Sequence, residues 1–297
     1  MTGTPFWRGN DVETQIPVTV IISTKNESSN IEKCISYCNS FDEIIVVDSI
    51  SKDKTAEIAL ASGASVIDFH WNGQYPKKRQ WIIENVATKY PWILFLDADE
   101  ELTKEFNLEL LEFLNDKKDF FSAGLIGIDY YFMHKRLKHG QLVKKISLIH
   151  RDKCNYPVLD DLSAQGMGEI EGHYQPVIQG NTYKFKNTIV HSDNEGLDSW
   201  MHRHVRYADW ESKVSTDIQL RKSVGELKGR LARIFLYLPA RSFFMFFYSY
   251  VFKLGFLDGR IGLDYALAKG WYYWLAGAIH REQTYIETLE EYVIEND

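Results

Sequence analysis

The segment PWILFLDADEE, residues 91–101, constrains this chain more than any other. The apolar run 92–96 has the length of a strand buried on both faces, and acids do not continue a buried strand, so the strand must end where Asp97 and Asp99 begin. At the carboxyl edge of an open α/β sheet, where ligands bind, two acids one residue apart present oxygen ligands to a divalent cation, and that cation can hold phosphate oxygens. Taken alone, a D-x-D also fits a solvated strand end followed by the acidic start of a helix. What precedes it decides between the two.

The preceding residues alternate strand and helix. Residues 18–23 read as a buried strand, and Asn26 or Ser28 is placed to cap a helix whose apolar positions Ile31, Cys34, Ile35 and Cys38 recur at helical spacing. Residues 44–47 form a second strand closed by Asp48; SKDKTAEIALASG gives a capped helix stopped by Gly63, and residues 65–69 form a short third strand. Pro76 suits the first turn of a helix running to about Lys89, which returns the chain to the strand ending at Asp97. Single helices between strands imply a parallel, twisted sheet with right-handed crossovers. Ser23, Thr24, Glu27, Asp48, Ser49, Asp97 and Asp99 then converge on one crevice, where a nucleotide would lie. A glycine fingerprint of the G-x-G-x-x-G type and a Walker lysine loop are both missing, which argues against dinucleotide oxidoreductases and P-loop ATPases. A cation on Asp99 and the basic run Lys77, Lys78, Arg79 are the remaining partners for phosphate or base, with a solvated helix face as the plain alternative for the lysines.

Those residues carry a resemblance. VTVIISTKNESSNIEKCI, EIIVVDSISKDKTAEIA, KKRQW and WILFLDADEE, in this order and spacing, resemble the nucleotide-binding half of the family 2 glycosyltransferases of GT-A fold, and most of all bacterial enzymes of lipopolysaccharide-core and surface-polysaccharide synthesis. The resemblance implies a Rossmann-like, mostly parallel sheet flanked by helices and a nucleotide-sugar donor. It implies that Asp48 contacts the uracil or ribose, that Asp53 matches the acid opening the next helix turn, and that Arg79 meets the base, although Gln80 stands where the family often has Asn. It also implies a metal, Mn²⁺ or Mg²⁺, on Asp97 and Asp99, with Asp99 the direct ligand.

Beyond Glu101 the sequence predicts a capped helix over 103–114 and strands over 124–132 and 143–150, joined by the basic connection HKRLKHGQLVKK. GMGEIEGHYQP, residues 166–176, sets glycines around two acids and reads as an irregular turn opposite the metal site. Related enzymes carry their catalytic acid in this part of the chain, often in a His-Glu setting; here Glu169 follows Gly168 and Glu171 competes with it, with Asp160 and Asp161 next in line. His191 matches a family histidine that completes the metal shell or touches the diphosphate, against the alternative of a hydrogen-bonded structural histidine.

At 297 residues and 45% hydrophobic, the chain can bury a large core, and its length allows one large domain or a domain with a helical appendage. The expected division is an N-terminal extension 1–16, a catalytic domain 17–200 with a nucleotide half 17–101 and an acceptor half 102–200, and a helical region 201–297. A net charge of -7 argues against nucleic-acid binding. Three cysteines, Cys34, Cys38 and Cys154, fit reduced cytoplasmic thiols, and the first residues lack the charged start and apolar core of an export signal. The densest apolar stretch mixes Phe243, Phe244, Phe246, Phe247, Tyr248, Tyr250 and Phe252 with Arg230, Arg233, Arg241 and Lys253. Its uninterrupted part, 242–252, is too short to span a bilayer, which takes about 20 apolar residues, so it is expected to lie on the cytoplasmic membrane face, in the core or at a homo-oligomer contact. GFLDGRIG, which follows, resembles a stretch after the catalytic domain of the same bacterial family.

The expectation is an inverting, metal-dependent glycosyltransferase acting on a glycan or lipid-linked acceptor. A sugar-phosphate nucleotidyltransferase is the enzymatic alternative, but its glycine-rich phosphate loop is missing. A non-catalytic, membrane-associated scaffold would have no use for Asp48, Arg79, Asp97 and Asp99 together.

Overall fold

The computed structural model describes residues 15–140, 143–159, 161–162, 167–171, 174–191, 196–216 and 240–296. Its first half lays down β1 (Ile16–Thr24), α1 (Ile31–Ser36), β2 (Phe41–Asp48), α2 (Thr55–Ala61), β3 (Ser65–Asp68), α3 (Lys78–Asn85), β4 (Trp92–Asp97), β5 (Glu100–Glu101) and α4 (Lys104–Asp116). Then come β6 (Ala123–Phe132), β7 (Lys135–Arg136), β8 (Val143–His150), β9 (Cys154–Asn155), β10 (Val177–Ile178) and β11 (Thr182–His191), and after them α5 (Leu197–Thr216), α6 (Arg241–Phe247) and α7 (Arg260–Asn296). One sheet holds, in order, β3, β2, β1, β4, β8, β6, β11 and β5, with β7 paired to β6. As expected, β1 to β4 are parallel; β8 then runs antiparallel between β4 and β6.

Burial on both faces explains why β1 and β4 read as unbroken apolar runs. Val18, Val20, Ile22, Leu94 and Leu96 point into a core closed by α1, α2 and α4, while Ile21, Ile93 and Phe95 point into a second core closed by α3 and α5. Trp210 and Val214 of α5 belong to that second core. Thr103 caps α4 as its sequence predicts, its side chain accepting from the Phe106 amide.

Two local expectations give way. Asn26 and Ser28 do not cap α1: Asn26 takes the left-handed conformation (φ 58°) that Asn tolerates and turns its side chain to accept from the Lys52 amide at 2.8 Å, while the Ser28 amide donates to Asp53 at 3.1 Å. Both residues lace the loop after β1 to the loop after β2. The helix after Pro76 begins at Lys78 and stops at Asn85, short of Lys89. Its end is set from outside, because Arg151 donates to the Ile83 carbonyl and Val86 leaves the helix to enter the second core.

The chain reverses between α6 and α7 through a π turn at Tyr248–Phe252, a left-handed Leu254 and a tight turn at Gly255–Asp258. A Cβ on Gly262 would fall 1.9 Å from the Gly255 carbonyl oxygen, so GFLDGRIG needs glycine there for close approach. Asp258 in the same motif accepts from the backbone amides of Lys138 and His139 at 3.1 and 2.8 Å and so anchors the basic connection after β7. Arg241, part of the aromatic and basic mixture, is drawn into an ion pair with Glu211 at 2.6 Å. Arg230, Arg233 and Asp160 lie outside the described residues. Among the described residues no helix is long and apolar enough to cross a membrane.

Candidate active site

The parallel register builds the crevice. Ser23 lies level with Asp97 across the β1–β4 pair, and Thr24 lies level with Asp48 across the β1–β2 pair, so three strand ends meet at one edge. Asp48 is buried and bonded: it accepts from Thr24 Oγ1 at 2.8 Å and from the Ser51 amide and hydroxyl, each at 2.6 Å. Glu27 is drawn into the loop, its amide donating to Thr55 and its carboxylate accepting from Asn30, both at 2.8 Å. Asp53 serves the start of α2, where its bonds from Thr55 outweigh the cost of desolvation and pull it down to about 2.

Asp97 is shared by two cations. Its Oδ1 faces Arg79 at 3.4 Å and its Oδ2 faces Lys145 at 2.8 Å. Lys145 also pairs at 2.6 Å with Glu100, which in turn accepts from the Asp97 amide at 3.0 Å. Desolvation works against ionisation of Asp97, 45% of whose side chain is still exposed, and Lys145 and Arg79 overcome it and hold this carboxyl well below the usual range; burial dominates at Glu100 and pushes it up. The Arg79 guanidinium lies about equally far from the Phe95 and Tyr156 rings, 5.9 and 6.0 Å from their centres. Lys145 and Glu100 carried no signal in the sequence. Lys145 lies three residues beyond the Leu94–Leu148 pairing, so only the antiparallel register of β8 against β4 brings it level with Asp97.

Asp99 is free of those cations and turns to His191, 3.3 Å away, with 27% of the Asp99 side chain and 19% of the His191 side chain exposed. Burial disfavours the imidazolium, but the bond to Asp99 and the charges of Asp99, Glu100 and Asp97 outweigh it and raise His191 to about 9. The Tyr130 ring stacks on the imidazole at 5.7 Å, and Trp200 Nε1 donates to the Tyr130 hydroxyl at 2.8 Å, which fixes the face. Asp99 is an oxygen donor that suits Mn²⁺ or Mg²⁺ if substrate oxygens complete the shell, whereas His191 could join that shell only after losing the proton that Asp99 stabilises. Among the described residues no cluster of three or more such ligands occurs.

The lysines of the basic run are not on a solvated face. Lys78 is buried, donating to the Thr24 carbonyl at 3.0 Å and to Ser49 Oγ at 2.7 Å, and burial brings it down to about 8. Lys77 is buried in a 2.9 Å ion pair with Asp161. Glu169 and Glu171 separate cleanly. Glu171 is buried and accepts from the Gln80 amide in the first turn of α3 at 2.9 Å, acting as a cap supplied from a distant loop, and burial raises its pKa. Glu169 lends only its backbone carbonyl to α3, accepting from the Lys78 amide at 3.0 Å; its carboxylate reaches the crevice side, 3.9 Å from the Lys25 ammonium. Asp161 is fully buried, with bonds from Tyr75, Lys77 and Trp210.

Residues 19–174 match the model of a family described as glycosyl transferase family 2. The chain is 45% identical over 94 residues to an uncharacterized glycosyltransferase of Rickettsia bellii, covering 31% of each. It is 38% identical over 91 residues to the SPbeta prophage-derived glycosyltransferase SunS of Bacillus subtilis, covering 30% of this chain and 21% of that one. The match thus spans about a third or less of the length of these curated relatives. Among solved structures, glucosyl-3-phosphoglycerate synthase of Mycobacterium tuberculosis in complex with phosphoglyceric acid aligns with a TM-score of 0.41 at 19% identity, covering 71% of this chain and 85% of that one. TarS of S. aureus aligns with a TM-score of 0.40 at 15% identity, covering 90% and 92%.

Proposed function

Because the chain belongs to glycosyl transferase family 2, we propose that it moves a sugar from a nucleotide-sugar, a UDP-sugar, to a hydroxyl of a glycan or lipid-linked acceptor in cell-envelope polysaccharide synthesis, with inversion at the anomeric carbon. The observation that carries this reading is the single edge on which Ser23, Asp48, Asp97, Asp99 and His191 stand, with Arg79 beside it. Asp48, Ser23 and Arg79 bind the nucleoside. Asp99, with His191 once deprotonated, would hold Mn²⁺ or Mg²⁺, which would offset charge on the leaving diphosphate. Asp97, already neutralised by Lys145 and Arg79, keeps both cations at the donor end.

Glu169 takes the proton from the acceptor hydroxyl as that oxygen bonds to the anomeric carbon and the bond from that carbon to the diphosphate oxygen breaks. One displacement inverts the centre. Glu171 is left to α3. Thermal unfolding with a panel of UDP- and GDP-sugars, with and without Mn²⁺, tests the donor class, because a ligand of the folded state raises its apparent stability. Cation-dependent stabilisation by UDP-sugars is expected; none by any nucleotide-sugar would overturn the reading.

The acceptor class is supported by the surface beyond α6. Phe243, Phe247, Val251, Phe252, Phe256 and Leu257 are all exposed within one short stretch, beside an exposed Lys253. That mixture suits peripheral contact with the cytoplasmic membrane face. Co-sedimentation with anionic vesicles that is lost on Phe243→Ser with Phe252→Ser supports it. A dimer that dissociates in the same variant, with no vesicle binding, assigns the surface to a homo-oligomer.

A further inference from the structure

The segment bearing Glu169 is fastened to α3 by contacts that lead on to α5, and we infer that Lys77, Asp161 and Trp210 form a positioning relay that fixes Glu169 for proton transfer. The inference rests on the reading of Glu169 as the base.

Three bonds tie residues 167–171 to the start of α3. The Lys78 amide donates to the Glu169 carbonyl at 3.0 Å, the Gln80 amide to the Glu171 carboxylate at 2.9 Å, and Lys77 Nζ to the Ile170 carbonyl at 3.2 Å. The bond from Lys77 differs from the other two. Helix geometry places the two amides, whereas a lysine ammonium on a four-carbon stem stays put only if something holds it. Asp161 does so, 2.9 Å away, with 1% of the Lys77 side chain and none of the Asp161 side chain exposed. The other Asp161 oxygen accepts from Trp210 Nε1 at 2.9 Å, and Tyr75 donates its hydroxyl to the first. Trp210 is itself fully buried on α5 in the core that β1 and β4 share with α3.

A buried ion pair of this kind is a poor source of stability, since apolar residues of similar volume often do as well. It does fix geometry. General-base catalysis needs the carboxylate within about 3 Å of the proton it takes, and a displacement of about 1 Å can cost about 10²-fold in rate. Helix α5, which the sequence places largely past the expected end of the catalytic domain near residue 200, thereby becomes part of the working site.

Trp210→Phe removes the indole N–H and keeps a ring in the core. Lys77→Met with Asp161→Asn removes both charges and abolishes the relay, while the Asn amide oxygen can still accept from Trp210 Nε1 and its NH₂ can donate to the Tyr75 hydroxyl. Turnover is read as UDP released, with water as acceptor, from the UDP-sugar on which the wild type is active. The relay predicts a fall of about tenfold or more in kcat for Trp210→Phe, with donor KM and UDP affinity unchanged. It predicts the same fall in the double variant at temperatures well below its unfolding midpoint. Wild-type kcat in Trp210→Phe beside an inactive Glu169→Gln overturns the relay alone, as does a stable double variant with full kcat. Full activity of Glu169→Gln overturns the reading of the base on which the relay depends.

Discussion

Two of the candidate-site segments each carry a pair of acids one residue apart, Asp97 with Asp99 and Glu169 with Glu171, and the two regions divide the labour within each pair in the same way. On the sheet edge, Asp97 is held by Arg79 and Lys145 while Asp99 meets only the ring of His191 among the ion pairs of the crevice. On the loop below α3, Glu171 is buried on the Gln80 amide while Glu169 stays at the crevice. Residues two apart share a face on an extended backbone, but the chain turns at residues 98–99 and again at 167–170, and these turns part the two side chains of each pair. One acid can then be spent on the scaffold and the other kept for a ligand. The pairs differ in what anchors the fixed acid. Charge anchors Asp97, whereas a helix N-terminus anchors Glu171, so the two anchors should fail differently.

The largest effect should come from the acid read as the base. Glu169→Gln is expected to lower turnover by about 10²-fold or more while leaving UDP affinity nearly intact, the usual contribution of a placed base; steady-state kinetics at saturating donor decide it, and equal losses in Glu169→Gln and Glu171→Gln would erase the distinction. Next comes the charged anchor. Lys145→Met strands Glu100 in the interior and leaves Asp97 to Arg79 alone, so denaturant unfolding should show a loss of about 3 kcal/mol. The helix anchor is weaker. Glu171→Ala leaves the Gln80 amide without its acceptor and should cost about 1 kcal/mol, with turnover reduced less than by Glu169→Gln.

Most of the anchored half of this comparison was invisible in the sequence. The strand ends at Asp48 and Asp97 were legible because burial on both faces forces apolar runs that acids must terminate. His191 was legible through its place after another strand. Lys145 was not, since its partner is chosen by an antiparallel register across 48 residues. Lys77 and Lys78 read as a charge run, and only the packing of α3 against Asp161 and the end of β1 makes them interior groups. Glu169 and Glu171 were indistinguishable by type, and their separation depends on which backbone amide α3 presents to them.

A pH dependence tests the interior lysine of α3. Burial, partly offset by Glu169 and Asp48, lowers Lys78 from 10.5 to about 8 in the folded protein, so between these values the unfolded chain holds the extra proton. The contribution of Lys78 to stability therefore rises with pH across that window. Denaturant unfolding at about pH 7 and about pH 10 should show wild type gaining on Lys78→Met at the higher pH; a gap independent of pH would mean that Lys78 is not desolvated.

The claim that Asp99 is the acid kept open for a cation and its diphosphate is tested most directly by calorimetric titration of UDP with and without Mn²⁺. Wild type and Glu169→Gln should bind UDP in a cation-dependent manner, and Asp99→Asn should lose that dependence while remaining folded, because the residue stands at a strand end and outside the core. UDP binding that ignores Mn²⁺ in the wild type, or that survives unchanged in Asp99→Asn, would contradict the account.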